Sequence, residues 1–442
     1  MDNDYLIKKP PLQALFLFAL PMIIGNLFQQ TYTMVDSAIV GRYVSEQALA
    51  AVGASYALTN IFICVAIGGG IGASVIVSRY FGAKEYGRMK TAVFTALLSF
   101  LGISLVLGIA GLILGKQIMI WLNTPADCLD MASEYLRIYF LGLPFLFMYN
   151  VLSAMFNALG KSRIPLYFLI FSSIFNVILD IIMVTKMDMG VAGVATATVV
   201  SECISAVLIV QCLARSDSAY RLCREKMRIT ESKVKQIMKI GLPAGFQGAI
   251  FSVSNVLIQS SINSFGSIAM AGSTASANVE GFVYNAMNAV YQTTLSFTSQ
   301  NYGAGKMDRV TKILLDCLGL VVLVGVVMGG GAVLLGPKLL QIYSSDPEVI
   351  SYGMMRMRII NDTMVGGLRG LGHSVVPMLV SLTGACLFRV VWIFSVFAMH
   401  RTVTTLYLSY PVSWIITFTA HIICYIVIRR RMAARRKSRD EI

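Results

Sequence analysis

Asn176 and Asp180 lie one helical turn apart inside an apolar stretch, and Thr198 and Glu202 repeat that spacing in the next one. On a helix, residues at i and i+4 stack on one face about 6 Å apart, so each pair presents its oxygens together. Carboxyl, amide and hydroxyl oxygens are what hard cations bind, and two carboxyls buried side by side can also share one proton. A charged side chain at the centre of a membrane span costs roughly 2.5 to 3.5 kcal/mol, so such residues point to an ion pathway by default. The plainer reading is a carboxyl satisfied by neighbouring helices with nothing passing through it. It weighs more for Glu202 than for Asp180.

These residues need a membrane protein to position them. Hydrophobic residues make up 56% of the 442 and charged residues 13%, a balance that no soluble domain of this length needs to cover its surface. Lys8 and Lys9 precede a long apolar run without a small-residue cleavage site, so that run reads as a first span and not as a removed signal. The eight cysteines are scattered through apolar runs and there are three histidines, so neither a disulfide framework nor a zinc site is expected.

Apolar segments of spanning length fall at 12–37, 49–74, 91–114, 132–157, 164–185 and 190–213, then at 236–263, 268–298, 310–335, 350–368, 375–398 and 404–428. The expectation is therefore an all-α polytopic protein of twelve transmembrane helices. With both termini cytoplasmic, the inner connections hold most of the lysines and arginines, and the outer ones hold Arg42, Lys116, Lys186, Lys338 and Arg401. The formal charge of +14 thus follows the bilayer, and no nucleic-acid partner is expected.

The long polar stretch after residue 213 divides the chain into a six-helix lobe at 1–213, a cytoplasmic linker at 214–235, a second six-helix lobe at 236–428 and a basic cytoplasmic tail at 429–442. The lobes read as repeats. Leu20-Pro21 recurs as Leu242-Pro243, Phe81-Gly82-Ala83 as Tyr302-Gly303-Ala304, and Ala158 to Ser162 with Pro165 as Gly370 to Ser374 with Pro377. An even helix count per lobe makes them parallel repeats. The last interval is shorter in the second lobe, so the tenth helix is shortened, and it carries Arg356, Arg358, Asn361 and Asp362.

Depth brings the polar residues to one level. Asp36 near the end of the first span and Asp180 well into the fifth both lie in the outer half, with Asn176 one turn deeper. Thr198 lies about 10 Å down the sixth at ~1.5 Å per residue. Glu202 and Glu280 are possible second acidic sites, with Arg389 a candidate partner for Glu280. Gln29, Tyr32, Gln247, Asn255, Gln259, Asn288, Tyr291 and Gln292 suggest a wet substrate cleft between the lobes, although ordinary interhelical hydrogen bonding explains any one of them. The glycines at 68–72 lack the lysine of a phosphate loop and fit close helix packing. No nucleophile and base pairing stands out, so an enzyme is not expected.

Leu20-Pro21, Met34-Val35-Asp36 with Val40-Gly41, Phe81 to Lys84, Asn176 with Asp180, Gly190 to Thr198, Gly241-Leu242-Pro243, Tyr302-Gly303-Ala304 and Leu368 to Pro377 together carry a resemblance. Over essentially its whole length the chain resembles the multidrug and toxic compound extrusion (MATE) family of secondary transporters, of the bacterial type. The resemblance implies a V-shaped bundle in the inner cell membrane, working by alternating access, functional as a monomer and without a cofactor. It implies export of organic cations in exchange for sodium ions or protons. Asp36, Asn176, Asp180 and Thr198 match that family's cation site, which would hold sodium if sodium is the coupling ion. The rival is a lipid-linked oligosaccharide flippase of the same superfamily, which should display several cationic side chains for a pyrophosphate.

Overall fold

The computed structural model describes residues 5–44, 46–121, 126–215, 229–263, 265–341, 346–357 and 379–440. All regular structure among the described residues is helical, as a chain in hydrocarbon requires when each segment must satisfy its own backbone. We number the main helices α1 (Pro11–Tyr43), α2 (Glu46–Gly82), α3 (Tyr86–Trp121), α4 (Ala126–Ala158), α5 (Arg163–Thr185) and α6 (Gly190–Ala214). There follow α7 (Glu231–Asn263), α8 (Ser267–Gly303), α9 (Met307–Val324), α10 (Pro347–Met357), α11 (Phe388–Phe394) and α12 (Val403–Asp440).

Nine helices among the described residues are long and apolar enough to cross a membrane. α7 and α8 are long, 33 and 37 residues, but amides, hydroxyls and Glu280 dilute their hydropathy. α10 is described over 11 residues, and the rest of the expected tenth span, with the third repeat landmark, lies outside the described residues, as do residues 216–228 of the linker.

The chain forms two compact units. Unit 1 contains Met1–Ala249 with Ser296–Val310, and unit 2 contains Ile250–Leu295 with Thr311–Ile442. In unit 1, α4 packs against α2, α3 and α6, while α5 packs against α1 and α6. Small residues set these distances: Gly111 of α3 faces the Phe140 ring, and Gly142 of α4 faces Val199. The glycines at 68–72 lie where α2 meets α7, and a Cβ on Gly68 would come within 2.6 Å of the Gly241 carbonyl.

The repeated Phe81-Gly82-Ala83 and Tyr302-Gly303-Ala304 sequences form the same turn in unit 1. Ala83 and Ala304 donate to Arg79 and Gln300 (2.9 Å each), while Glu85 and Lys306 donate to Tyr80 and Asn301 (2.9 Å each). The left-handed position falls on Lys84 (φ 59°) in one and on Gly305 (φ 72°) in the other, the arrangement that closes a helix C-terminus. The segment before α1 is tied to the second of these turns: Asn301 Nδ2 donates to the Leu6 carbonyl (3.2 Å), Lys306 Nζ to that of Ile7 (3.2 Å) and Arg309 to those of Leu6 and Lys9.

In unit 2, Ile258, Ile262, Phe397, Val403, Leu406, Tyr407 and Tyr410 form one buried cluster, and Ala275, Val279, Leu340 and Met357 another. π-helical stretches occur at Gly325–Gly329, after α9, and at Leu382–Leu387, before α11. In the second, Gly384 faces α12 so closely that a Cβ would lie 2.6 Å from Thr417 Oγ1.

Candidate functional site

The turn between α5 and α6 is short because Asp188 (φ 51°) and Gly190 (φ 54°) both take left-handed conformations, reversing the chain within a few residues. The helices it joins therefore lie side by side, and a Val184, Val191 and Val194 cluster with Val40 of α1 holds all three together. Asn176, Asp180, Thr198 and Asp36 project from these helices.

Asn176 and Asp180 are buried, at 1% and 0% exposure, in a helix whose opposite side is largely exposed apolar surface. The Asn176 amide bridges two neighbours: Nδ2 donates to Asp180 Oδ2 (3.1 Å), and its oxygen accepts from the Thr198 backbone N–H (3.1 Å). The Thr198 hydroxyl donates to the Val194 carbonyl (3.0 Å), which turns its lone pairs toward the amide. The Asp36 and Asp180 carboxyls face each other within hydrogen-bond reach. One oxygen of each is buried and receives no donor from the protein.

Tyr32 of α1 and Tyr135 of α4 stand within electrostatic range of Asp36, Asp180 and Glu202 together. Glu202, one turn along α6 from Thr198, therefore belongs to the same cluster of acids. Carboxyl oxygens without donors, an amide fixed by two hydrogen bonds and a hydroxyl make a set suited to a small hard cation or a proton. Two carboxylates at contact in a low-dielectric interior require such a positive charge between them. Tyr135 has no sequence signal beyond its place one turn from Tyr139, with which it stacks at 6.3 Å.

Glu280 lies in unit 2 and has a different environment. Its partner is Arg356 of α10, Nη2 to Oε2 at 3.1 Å, and not Arg389. Arg389 is buried over the Tyr410 ring at 4.2 Å, with Nε donating to Ser413 Oγ at 3.0 Å. The remaining polar residues do not gather in one unit. Gln29, Tyr32 and Gln247 are in unit 1, and Asn255, Asn288, Tyr291 and Gln292 are in unit 2. Gln29 and Asn255 are exposed, Gln247 is buried, and the side chain of Gln259 lies outside the described residues.

Long apolar helices around buried oxygen ligands, without a nucleophile and base arrangement, define a multi-pass membrane transporter and not an enzyme. The sequence matches the family described as MatE over residues 21–182 and 243–395, and the chain belongs to that family. Probable multidrug resistance protein YoeA of Bacillus subtilis (strain 168) is 26% identical over 309 residues, 68% of this chain and 67% of that protein. Multidrug export protein MepA of Staphylococcus haemolyticus (strain JCSC1435) is 24% identical over 369 residues, 83% of this chain and 80% of that protein. A solved MOP superfamily transporter from Pyrococcus furiosus has a TM-score of 0.90 at 19% identity, covering 98% of each chain. A multidrug resistance MATE family transporter in an outward-facing conformation has a TM-score of 0.90 at 19% identity, covering 99% of each. At that identity the structural likeness is one of fold.

Proposed function

We propose that this chain is a secondary active antiporter that exports organic cations in exchange for sodium ions or protons. It works by alternating access between two lobes of six helices, residues 1–213 and 236–428, as a monomer in the cell membrane with both termini cytoplasmic. Asp36 and Asp180 take the ion, while Asn176 and Thr198 complete its shell. The observation that carries this reading is the contact between the Asp36 and Asp180 carboxyls, with Asn176 holding Asp180 from the other side. The multidrug names of its relatives YoeA and MepA support the cargo class. The flippase reading draws less support, because Arg356 and Arg389 are engaged by Glu280 and by Tyr410 instead of being arrayed for a pyrophosphate.

The test is uptake of a fluorescent organic cation into oriented proteoliposomes under imposed sodium or pH gradients, comparing the parent with Asp180→Asn. Gradient-driven uptake that the variant loses supports the antiporter and its site, and the gradient that drives it names the ion. Uptake that persists equally in the variant moves the ion elsewhere.

A further inference from the structure

A carboxylate, hydroxyls and aromatic faces together receive a planar delocalised monocation. Unit 2 builds such a receptor, and the cation inside it belongs to the chain. Arg356 Nε lies 3.2 Å from both Glu280 oxygens, Nη2 lies 3.1 Å from Oε2, and Nη1 donates to Ser273 Oγ at 2.7 Å. Ser276 Oγ donates to Glu280 Oε1 at 2.9 Å, which fixes the carboxylate. The guanidinium carbon stands 5.9 Å and 6.0 Å from the ring centroids of Tyr407 and Tyr410.

Two features separate this pair from ordinary helix glue. Ion pairs taken out of water seldom stabilise more than apolar residues of the same volume, so stability alone is a weak reason to build one between helices. The pair is also not sealed, since the Arg356 and Glu280 side chains keep 11% and 19% of their surface exposed. A cation arriving from outside the packed cluster can therefore reach the carboxylate.

We propose that this is a binding site for organic cations of the guanidinium and amidinium class, with Arg356 as its resident occupant, and that a cargo cation takes the place of Arg356 against Glu280. The proposal rests on the reading of the chain as an exporter of organic cations. It adds a chemical class, planar cations that donate paired N–H groups, and a reason for weak binding. Cargo and Arg356 compete for one carboxylate, so the apparent affinity falls by the fraction of time that Arg356 is away. The same exchange keeps Glu280 from being left charged and alone when cargo departs.

The experiment is a fluorescence titration of the full chain in nanodiscs with the planar diamidine DAPI, comparing the parent, Arg356→Gln, Arg356→Ala and the double variant Glu280→Gln/Arg356→Gln. The expected result is that Arg356→Gln binds DAPI about tenfold or more tightly than the parent. The gain should vanish in the double variant and be much smaller for tetraphenylphosphonium, a cation without N–H donors. Unchanged or weaker DAPI binding in a well-folded Arg356→Gln or Arg356→Ala chain overturns the proposal, as does a gain that survives Glu280→Gln. If neither arginine variant folds, Arg356 is a structural ion partner and the proposal is also overturned. Gradient-driven export without the gain in DAPI affinity keeps the transporter reading and rejects the site, whereas the gain without export does the reverse.

Discussion

Gly82 and Gly303 sit reciprocally in unit 1, each against the backbone of the helix that carries the other: a Cβ on Gly82 would collide with the Gln300 carbonyl, and one on Gly303 with that of Arg79. Backbone atoms cannot yield as a side-chain end can. Gly82→Ala or Gly303→Ala should therefore force α2 and α8 apart, at a cost typical of overpacking, ~1 to 3 kcal/mol. Once one substitution has separated the helices, the second finds room, so the double variant should lose less than the sum. Thermal melts of the three purified variants check both points.

At the ion site, Asp36→Asn and Asp180→Asn each leave one carboxyl beside an amide, which still fills the space and still hydrogen-bonds. Expression and melting should change little. Ion-driven uptake of a cation should fall at least about tenfold in either variant, and the double variant should be no worse than the singles if the two carboxyls act as one unit.

Stoichiometry follows from charge. When one proton enters as one monovalent cation leaves, the membrane potential cancels and only the pH gradient drives exchange, about tenfold accumulation per pH unit. If protons couple transport, accumulation of a monovalent cation well above that ratio requires more than one proton per turnover, and collapsing the potential should then reduce it. Steady-state ratios measured with and without an ionophore decide this.

Asn176 is the fixed point between the Asp180 carboxyl and the Thr198 backbone. Asn176→Leu removes a donor and an acceptor at a position with 1% exposure, which should cost about 1 to 3 kcal/mol through the groups left unmatched. Asn176→Ser should recover part of that loss. Melting curves give the stability term, and the ion concentration for half-maximal uptake should rise in both.

The segment before α1 should matter for stability. Leu6 is fully buried, and its backbone accepts from Asn301 and Arg309. Leu6→Asp gives up roughly 2 kcal/mol of apolar burial and adds a charge, so the segment should detach. A cysteine placed at Ile7 should then label rapidly in the variant and slowly in the parent background.

The contact between Asn176, Asp180 and Thr198 was legible because two i, i+4 pairs in consecutive spans leave few ways to arrange their oxygens, and Asp36 joined them by depth alone. Tyr135 was not legible, since a tyrosine in an apolar helix costs little and marks nothing until α4 is known to pack on α6. Arg356 was visible only as an oddity of a short span. Its partner lies far away in sequence, and the choice between Arg356 and Arg389 for Glu280 depends on how each helix is rotated, which hydropathy does not encode. The same limit applies to α7 and α8, whose polar residues lower the hydropathy of helices long enough to span.

The π-helical stretch Leu382–Leu387 precedes Arg389 by a single residue. A π-turn holds one residue more than an α-turn, and each residue advances an α-helix by ~100°. The stretch is therefore a phase shift: the chain on either side keeps its own apolar pattern while one residue of slip is absorbed at Gly384, opposite Thr417. Deleting one residue there would restore an unbroken α-helix and swing the Arg389 guanidinium off Tyr410 and Ser413 by more than a quarter turn. The whole downstream helix owes its facing to a single surplus residue, so this position should tolerate many substitutions and no deletion.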